Sequence, residues 1–155
     1  MTALPYRLCA LDLDDTLLNS HQELSERNER AVRGILEKGV HIVLASGRIH
    51  SSAKRFADKL NLDAPIISCN GAMVRTPISN EIWLDESIPG ELCIPVMDYC
   101  EQNNLQLNYY RDDVVYSKEY TSWLQLYHTR TKVPLKIIPD FYSQMRGLPS
   151  TKLVI

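Results

Sequence analysis

The sequence predicts an α/β chain in which one half of a doubly wound parallel sheet is followed by a segment of α+β character. Short apolar runs at residues 7–13, 41–45 and 65–69 alternate with stretches of helical periodicity at 25–38 and 49–61. The joints between them are short, so each strand–helix–strand step reads as a right-handed crossover between parallel strands, with helices on the faces of the sheet. After Gly71 the alternation gives way to hairpin patterns, and a boundary is expected near residue 78. That division gives 1–77 as the α/β part and 78–155 as the α+β part.

The first run, RLCALDL, is too short for a buried helix and is followed by turn and capping residues from Asp14 to Ser20. From Ser25, the residues Ala31, Val32, Ile35 and Leu36 recur at helical spacing, and Gly39 after Lys38 supplies a stop. HIVLA is a second buried strand, Ser46-Gly47-Arg48 a turn, and Ala53, Phe56, Ala57 and Leu60 one side of a second helix. The third strand, PIISC, ends at Asn70-Gly71, and AMVRT and EIWL then flank the polar turn PISN as an antiparallel hairpin. A helix is expected over 90–103, with Pro95 acceptable only in its first turn, and two strands across Arg111-Asp112-Asp113. A helix near 119–130 and strands near 134–138 and 151–155 complete the pattern.

With 155 residues, 45% apolar and 23% charged, the chain suits one domain, or one domain and part of another. A formal charge of −2 and scattered basic residues argue against nucleic acid and anionic membranes as partners. No apolar run is long enough to span a bilayer and the start MTALPYR has no leader pattern, so a cytoplasmic location is expected. Cys9, Cys69, Cys93 and Cys100 show no CxxC spacing and read as reduced thiols.

Ligands of open parallel sheets bind beyond the carboxyl ends of the strands. Three such ends carry polar groups here: Asp12-Leu13-Asp14-Asp15-Thr16, Ser46-Gly47-Arg48 and Asn70-Gly71. Asp12 and Asp14 are two apart, so in extended chain they face the same side, and Ser46 follows by about one strand–helix–strand unit. Two carboxylates repel a phosphate unless a hard cation stands between them, and ligands of oxygen alone favour Mg²⁺ over zinc. One carboxylate could then attack phosphorus while the other protonates the leaving alcohol. Taken singly, each group has a plainer use: Asp14 as a turn or cap, Asp12 as a solvated strand terminus, Ser46 as a helix cap, Arg48 as a surface side chain. Three polar strand ends at matching spacings favour the site.

LDLDDTLL resembles the first motif of the haloacid dehalogenase-like (HAD) hydrolases, and LASGR resembles their second. ISCNGA followed by an α+β segment is similar to the Cof-type phosphatases of that superfamily, whose large cap is inserted at this point. The resemblance implies a Rossmann-like parallel core with an inserted α+β cap, and a Mg²⁺-dependent phosphatase working through an aspartyl-phosphate. It implies Asp12 as nucleophile, Asp14 as general acid/base, and both as Mg²⁺ ligands, Asp14 through its backbone carbonyl. Ser46 and the Gly47 N–H would bind the phosphoryl group, with Arg48 and Asn70 on the substrate side. Asp15 stands where the family most often has Gly.

Members of the family continue into a returning core segment with a lysine and a GDxxND-type motif, neither of which falls within these 155 residues. Lys152 belongs to a cap strand by pattern and is not assigned that role. The expectation is therefore an N-terminal portion with an incomplete core and cap, its exposed sheet surface prone to self-association. The substrate class expected is small phosphorylated metabolites, sugar phosphates first and flavin or pyridoxal phosphates behind. Tyr109, Tyr110, Tyr116, Trp123 and Tyr127 could stack on a substrate ring, although core packing accounts for most of them; His128 reads as a surface residue. The competing classes are a fragment or degenerate member that only binds phosphate or a partner, and a receiver-like phosphoacceptor. Thr16 and the SGR turn argue against the last.

Overall fold

In the computed structural model, which describes residues 5–155, the chain divides between Leu84 and Asp85 into two compact units. The division falls later than residue 78, at the last residue of the strand at 82–85, because that strand pairs within the first unit's sheet.

The first unit runs β1 (Leu8–Leu11), α1 (Glu26–Leu36), β2 (His41–Leu44), α2 (His50–Leu60) and β3 (Ile66–Ser68). β1 and β2 pair in parallel from Leu8↔His41 to Leu11↔Leu44, and the parallel bridge Ala45↔Ile67 joins β3 to them. α1 starts where the Ser25 hydroxyl accepts the Asn28 N–H at 3.2 Å, and α2 stops where Asn61 turns left-handed at φ 54°. Ile42, Leu44 and Ile66 pack with Val32 of α1 and Ala53, Phe56, Ala57 and Leu60 of α2, and Cys9 and Leu11 close the cluster. Each of the larger side chains, once fully buried, contributes roughly 1.5–3 kcal/mol.

Both helices lie on this one face, which corrects the expectation of helices on the faces of the sheet. Right-handed crossovers taken in one direction, β1 to β2 to β3, put every connecting helix on the same side. On the other face Leu8 is 58% exposed and Ala10 and His41 are open to solvent. β1 is also the sheet edge: among the described residues no strand pairs with its outer side.

β4 (Met73–Arg75) pairs antiparallel with β3, and β5 (Ile82–Asp85) lies beside β4. The Thr76 hydroxyl closes their turn by accepting the Glu81 N–H at 2.9 Å.

The second unit contains α3 (Gly90–Gln102), β6 (Asn108–Arg111), β7 (Val114–Ser117), α4 (Ser122–Thr131), β8 (Leu135–Ile137), α5 (Phe141–Met145) and β9 (Lys152–Val154). Its sheet has the order β8-β7-β6-β9, with β6 antiparallel to both neighbours. Asp112 and Asp113, at φ 49° and 61°, make the two-residue turn between β6 and β7. Cys93, Met97 and Cys100 of α3 pack on Leu107, Tyr109, Phe141 and Met145. Tyr109 is fully buried, its hydroxyl donates to the Leu148 carbonyl, and burial followed by the neighbouring Cys93 pushes its pKa up.

Tyr109 and Tyr110 are core residues, whereas Trp123 and Tyr127 stack on the surface with ring centres 5.4 Å apart. His128 turns Nδ1 to the Val133 carbonyl at the end of α4. All four cysteines are free thiols, and no helix among the described residues is long and apolar enough to cross a membrane.

Two elements differ from expectation. The five-residue α5 is too short to leave a readable period. Pro95 falls in the second turn of α3, not the first. It is tolerated because Glu91, whose carbonyl loses its N–H partner, is exposed to water. Pro95→Ala is accordingly expected to stabilise this unit by about 1–2 kcal/mol, read as a higher urea midpoint at unchanged slope.

Candidate active site

Asp12 follows β1 directly and keeps an extended backbone, with φ −74° and ψ 154°. The next residues form a kinked turn, Leu13–Leu17, anchored by the buried Leu13 and Leu17 and closed by Leu18 N–H to Leu13 O at 2.9 Å. Buried leucines thus hold the turn while its acids stay at the surface. The Asp12 side chain is exposed and accepts a bond from the Thr16 hydroxyl at 3.2 Å.

The turns after β2 and β3 are tied together by their backbones. Cys69 N–H donates to Arg48 O at 2.8 Å and Asn70 N–H to Ser46 O at 3.2 Å, while Ser46 N–H reaches Ile67 O at 2.9 Å. Cys69 and Asn70 both take positive φ, 51° and 58°, to turn their N–H groups onto the neighbouring loop. A Cβ at Gly47 would stand 2.6 Å from Asn70 Oδ1, so a larger residue there would have to push the Asn70 side-chain amide aside. Ser46 is buried, and its Oγ accepts the Arg48 N–H at 3.3 Å.

Arg48 links these turns to the first. Its guanidinium, 4% exposed, grips Asp14 in a bidentate pair, Nε to Oδ2 at 2.9 Å and Nη2 to Oδ1 at 2.7 Å. Nη1 donates to Ser52 Oγ at 3.3 Å, Nη2 also donates to Gln22 Oε1, and the Phe56 ring centre lies 5.3 Å from the guanidinium carbon. A surface use for Arg48 is thereby excluded, and its group faces an acid of the site instead of open solvent. One of the crowded carboxylates is neutralised within the chain. Asp14, Ser46, Gly47, Arg48 and Asn70 therefore form one connected cluster, with Asp12 beside it at the start of the Asp14 turn.

Gln22 and Ser52 were not picked out from the sequence, and Phe56 was read there only as a packing residue of the second helix. Ser52 and Phe56 could have been suspected from their spacing of four and eight after Arg48. Gln22 carries no such signal, since it reaches Arg48 only through the folding back of residues 18–24.

Asp15 sits at φ 56°, in the left-handed region, which explains a preference for glycine there. Aspartate tolerates that region better than most residues, so the strain is small. Asp15→Gly is expected to be neutral to stabilising by up to about 1 kcal/mol, and its thermal midpoint checks this.

Among the described residues no group of three or more His, Cys, Asp or Glu side chains is placed to hold a metal ion. The donors present suit Mg²⁺ in kind, since the Asp12 carboxylate is exposed and the Asp14 carbonyl is a hard oxygen. Mg²⁺ commonly takes one or two protein oxygens and completes its shell with waters and substrate phosphate.

The chain is similar to known phosphatases and to solved hydrolase structures. The phosphatase YwpJ of Bacillus subtilis is 28% identical over 113 residues, covering 73% of this chain and 39% of YwpJ. The 5-amino-6-(5-phospho-D-ribitylamino)uracil phosphatase YcsE of the same organism is 37% identical over 77 residues, 50% of this chain and 28% of that protein. Among solved structures, a haloacid dehalogenase-like hydrolase from Bacteroides thetaiotaomicron superposes with a TM-score of 0.83 at 28% identity, over 94% of this chain and 56% of the other. The chain thus spans between about a quarter and somewhat over half of the lengths of these relatives. A family model for haloacid dehalogenase-like hydrolases matches residues 9–146, and the chain belongs to that family.

Proposed function

We propose that the protein is a Mg²⁺-dependent phosphatase that hydrolyses small phosphorylated metabolites through an aspartyl-phosphate on Asp12. The observation that carries this reading is the convergence of three strand-end turns, cross-bonded through Asn70–Ser46 and Arg48–Asp14, beside an exposed Asp12 carboxylate. Asp12 and the Asp14 carbonyl would hold the cation. Bound there, Mg²⁺ supplies the positive charge that lets a phosphate approach a carboxylate.

Asp12 attacks phosphorus in line and the bond from phosphorus to the substrate oxygen breaks; to act as the acid, Asp14 would let go of Arg48 and take up a proton from solvent as substrate binds, and it then delivers that proton to the departing alcohol. Water then attacks the acyl-phosphate, Asp14 takes its proton, and Asp12 and inorganic phosphate are released. The Ser46 hydroxyl and the Gly47 N–H would hold the phosphoryl oxygens, and Asn70 would border the substrate. Sugar phosphates are the first substrate class to test. YcsE, named for a phosphorylated ribitylamino-uracil, puts flavin-like phosphates next. A cytoplasmic location suits such substrates.

A second reading is a phosphate-binding or interaction module. What favours it is the exposed sheet face at Leu8 and Ala10 and the edge of β1, unpaired among the described residues, a surface suited to self-association or to a partner strand. The assay that separates the two is hydrolysis of p-nitrophenyl phosphate by the chain and by the product of the whole reading frame, with and without Mg²⁺. Hydrolysis that vanishes with EDTA and returns with Mg²⁺ is expected. An inert whole product under every divalent metal would favour the second reading.

A further inference from the structure

We propose that Gln22 is a positioning residue of this site: from the tip of the turn at residues 18–24 it holds the Arg48 guanidinium across the carboxylate of Asp14. A guanidinium has five N–H donors in a rigid plane. Two of Arg48's go to the two oxygens of Asp14, one to Ser52 Oγ and one to Gln22 Oε1. Ser52 and Phe56 both lie on α2, directly after the Arg48 turn. Gln22, like Asp14, reaches Arg48 from a separate piece of chain, and its contact completes the fixing of the plane.

That piece is built to be stiff. Leu18 and Leu24 form an antiparallel bridge, and Asn19 Oδ1 accepts the N–H groups of His21 at 2.9 Å and Glu23 at 3.0 Å. Gln22 N–H donates to Asn19 O at 2.9 Å, and the Asn28 side chain ties the base of the turn to Leu17 O at 2.8 Å. Gln22 itself lies at φ 62°, where glycine or asparagine is the cheaper choice. A long amide at a strained position is explained by what its oxygen reaches. As a neutral acceptor it fixes the guanidinium without competing for the charge that Asp14 supplies.

The proposal rests on the phosphatase reading only in treating Asp14 as a working residue; the pairing geometry stands apart from it. The test is ¹⁵N NMR of the full chain, following solvent exchange of the Arg48 Nε–H, identified by its loss in Arg48→Lys. Gln22→Ala is expected to speed that exchange roughly fivefold or more at an unchanged thermal midpoint, and Gln22→Met, of similar length but without the amide oxygen, to speed it about as much. Equal exchange in the wild type and Gln22→Ala would overturn the proposal. In the whole reading-frame product, Gln22→Ala should lower kcat and leave KM for p-nitrophenyl phosphate within about twofold; a rise in KM alone would make Gln22 a substrate contact and overturn the positioning role. A wild type without hydrolysis would count against the phosphatase reading, and the exchange measurement would still decide the role of Gln22.

Discussion

Asp12→Asn is expected to lower phosphatase kcat/KM by at least about 1,000-fold while leaving the fold intact. An amide has nearly the shape of a carboxylate but lacks the charge that attacks phosphorus. Its surroundings are undemanding: the side chain is exposed and accepts the Thr16 hydroxyl. The thermal midpoint should therefore correspond to a change within about 0.5 kcal/mol. Asp14→Asn should behave differently, losing activity and also stability, because the buried Arg48 loses its negative partner. Steady-state kinetics beside thermal unfolding of both variants separates a nucleophile from a structural acid. An Asp12→Asn enzyme with more than a tenth of wild-type turnover would remove Asp12 from the nucleophile's role.

Gly90→Ala should cost the second unit about 3 kcal/mol or more. Gly90 opens α3 against the turn at Gly147. A Cβ there would lie 1.9 Å from Gly147 O, 2.4 Å from Gly147 C and 3.0 Å from Leu148 C. Backbone on both sides is pinned: Ile88 and Ser150 exchange bonds of 2.8 and 3.1 Å, and Leu148 O accepts the buried Tyr109 hydroxyl. Neither segment can retreat without breaking these bonds. Urea unfolding should show a lower midpoint at unchanged slope, and a cost below about 0.5 kcal/mol would mean that the close approach is not maintained in solution.

Much of the first unit could be read from residues 7–75 because its signals are local. Strand cores are short apolar runs, helix ends carry Ser25 and Gly39, and polar clusters follow each strand. The Asn-Gly and SGR turns could be recognised as strand ends, and the backbone bonds between them follow from parallel neighbours having their ends side by side. The direction taken by Arg48 was not readable. It depends on where the 18–24 turn folds back and on α2 offering Ser52 and Phe56, which are distances between segments and leave no periodicity. Nor could spacing show that α1 and α2 share one face, since that follows from the order in which strands are laid down. In the second unit the helix start at residue 90 was readable; what misled was the rule that confines proline to a first turn, which is relaxed at Pro95 because the carbonyl it leaves unpaired belongs to the exposed Glu91.

The most direct test of the central claim, that Asp12 accepts a phosphoryl group, is ¹⁹F NMR of the whole reading-frame product with beryllofluoride and Mg²⁺. Beryllofluoride coordinates a nucleophilic carboxylate as a mimic of its phosphorylated form. The result expected is a set of protein-bound fluorine signals that require Mg²⁺ and disappear in Asp12→Asn. Bound signals that persist in Asp12→Asn, or none in the wild type at saturating Mg²⁺, would contradict it.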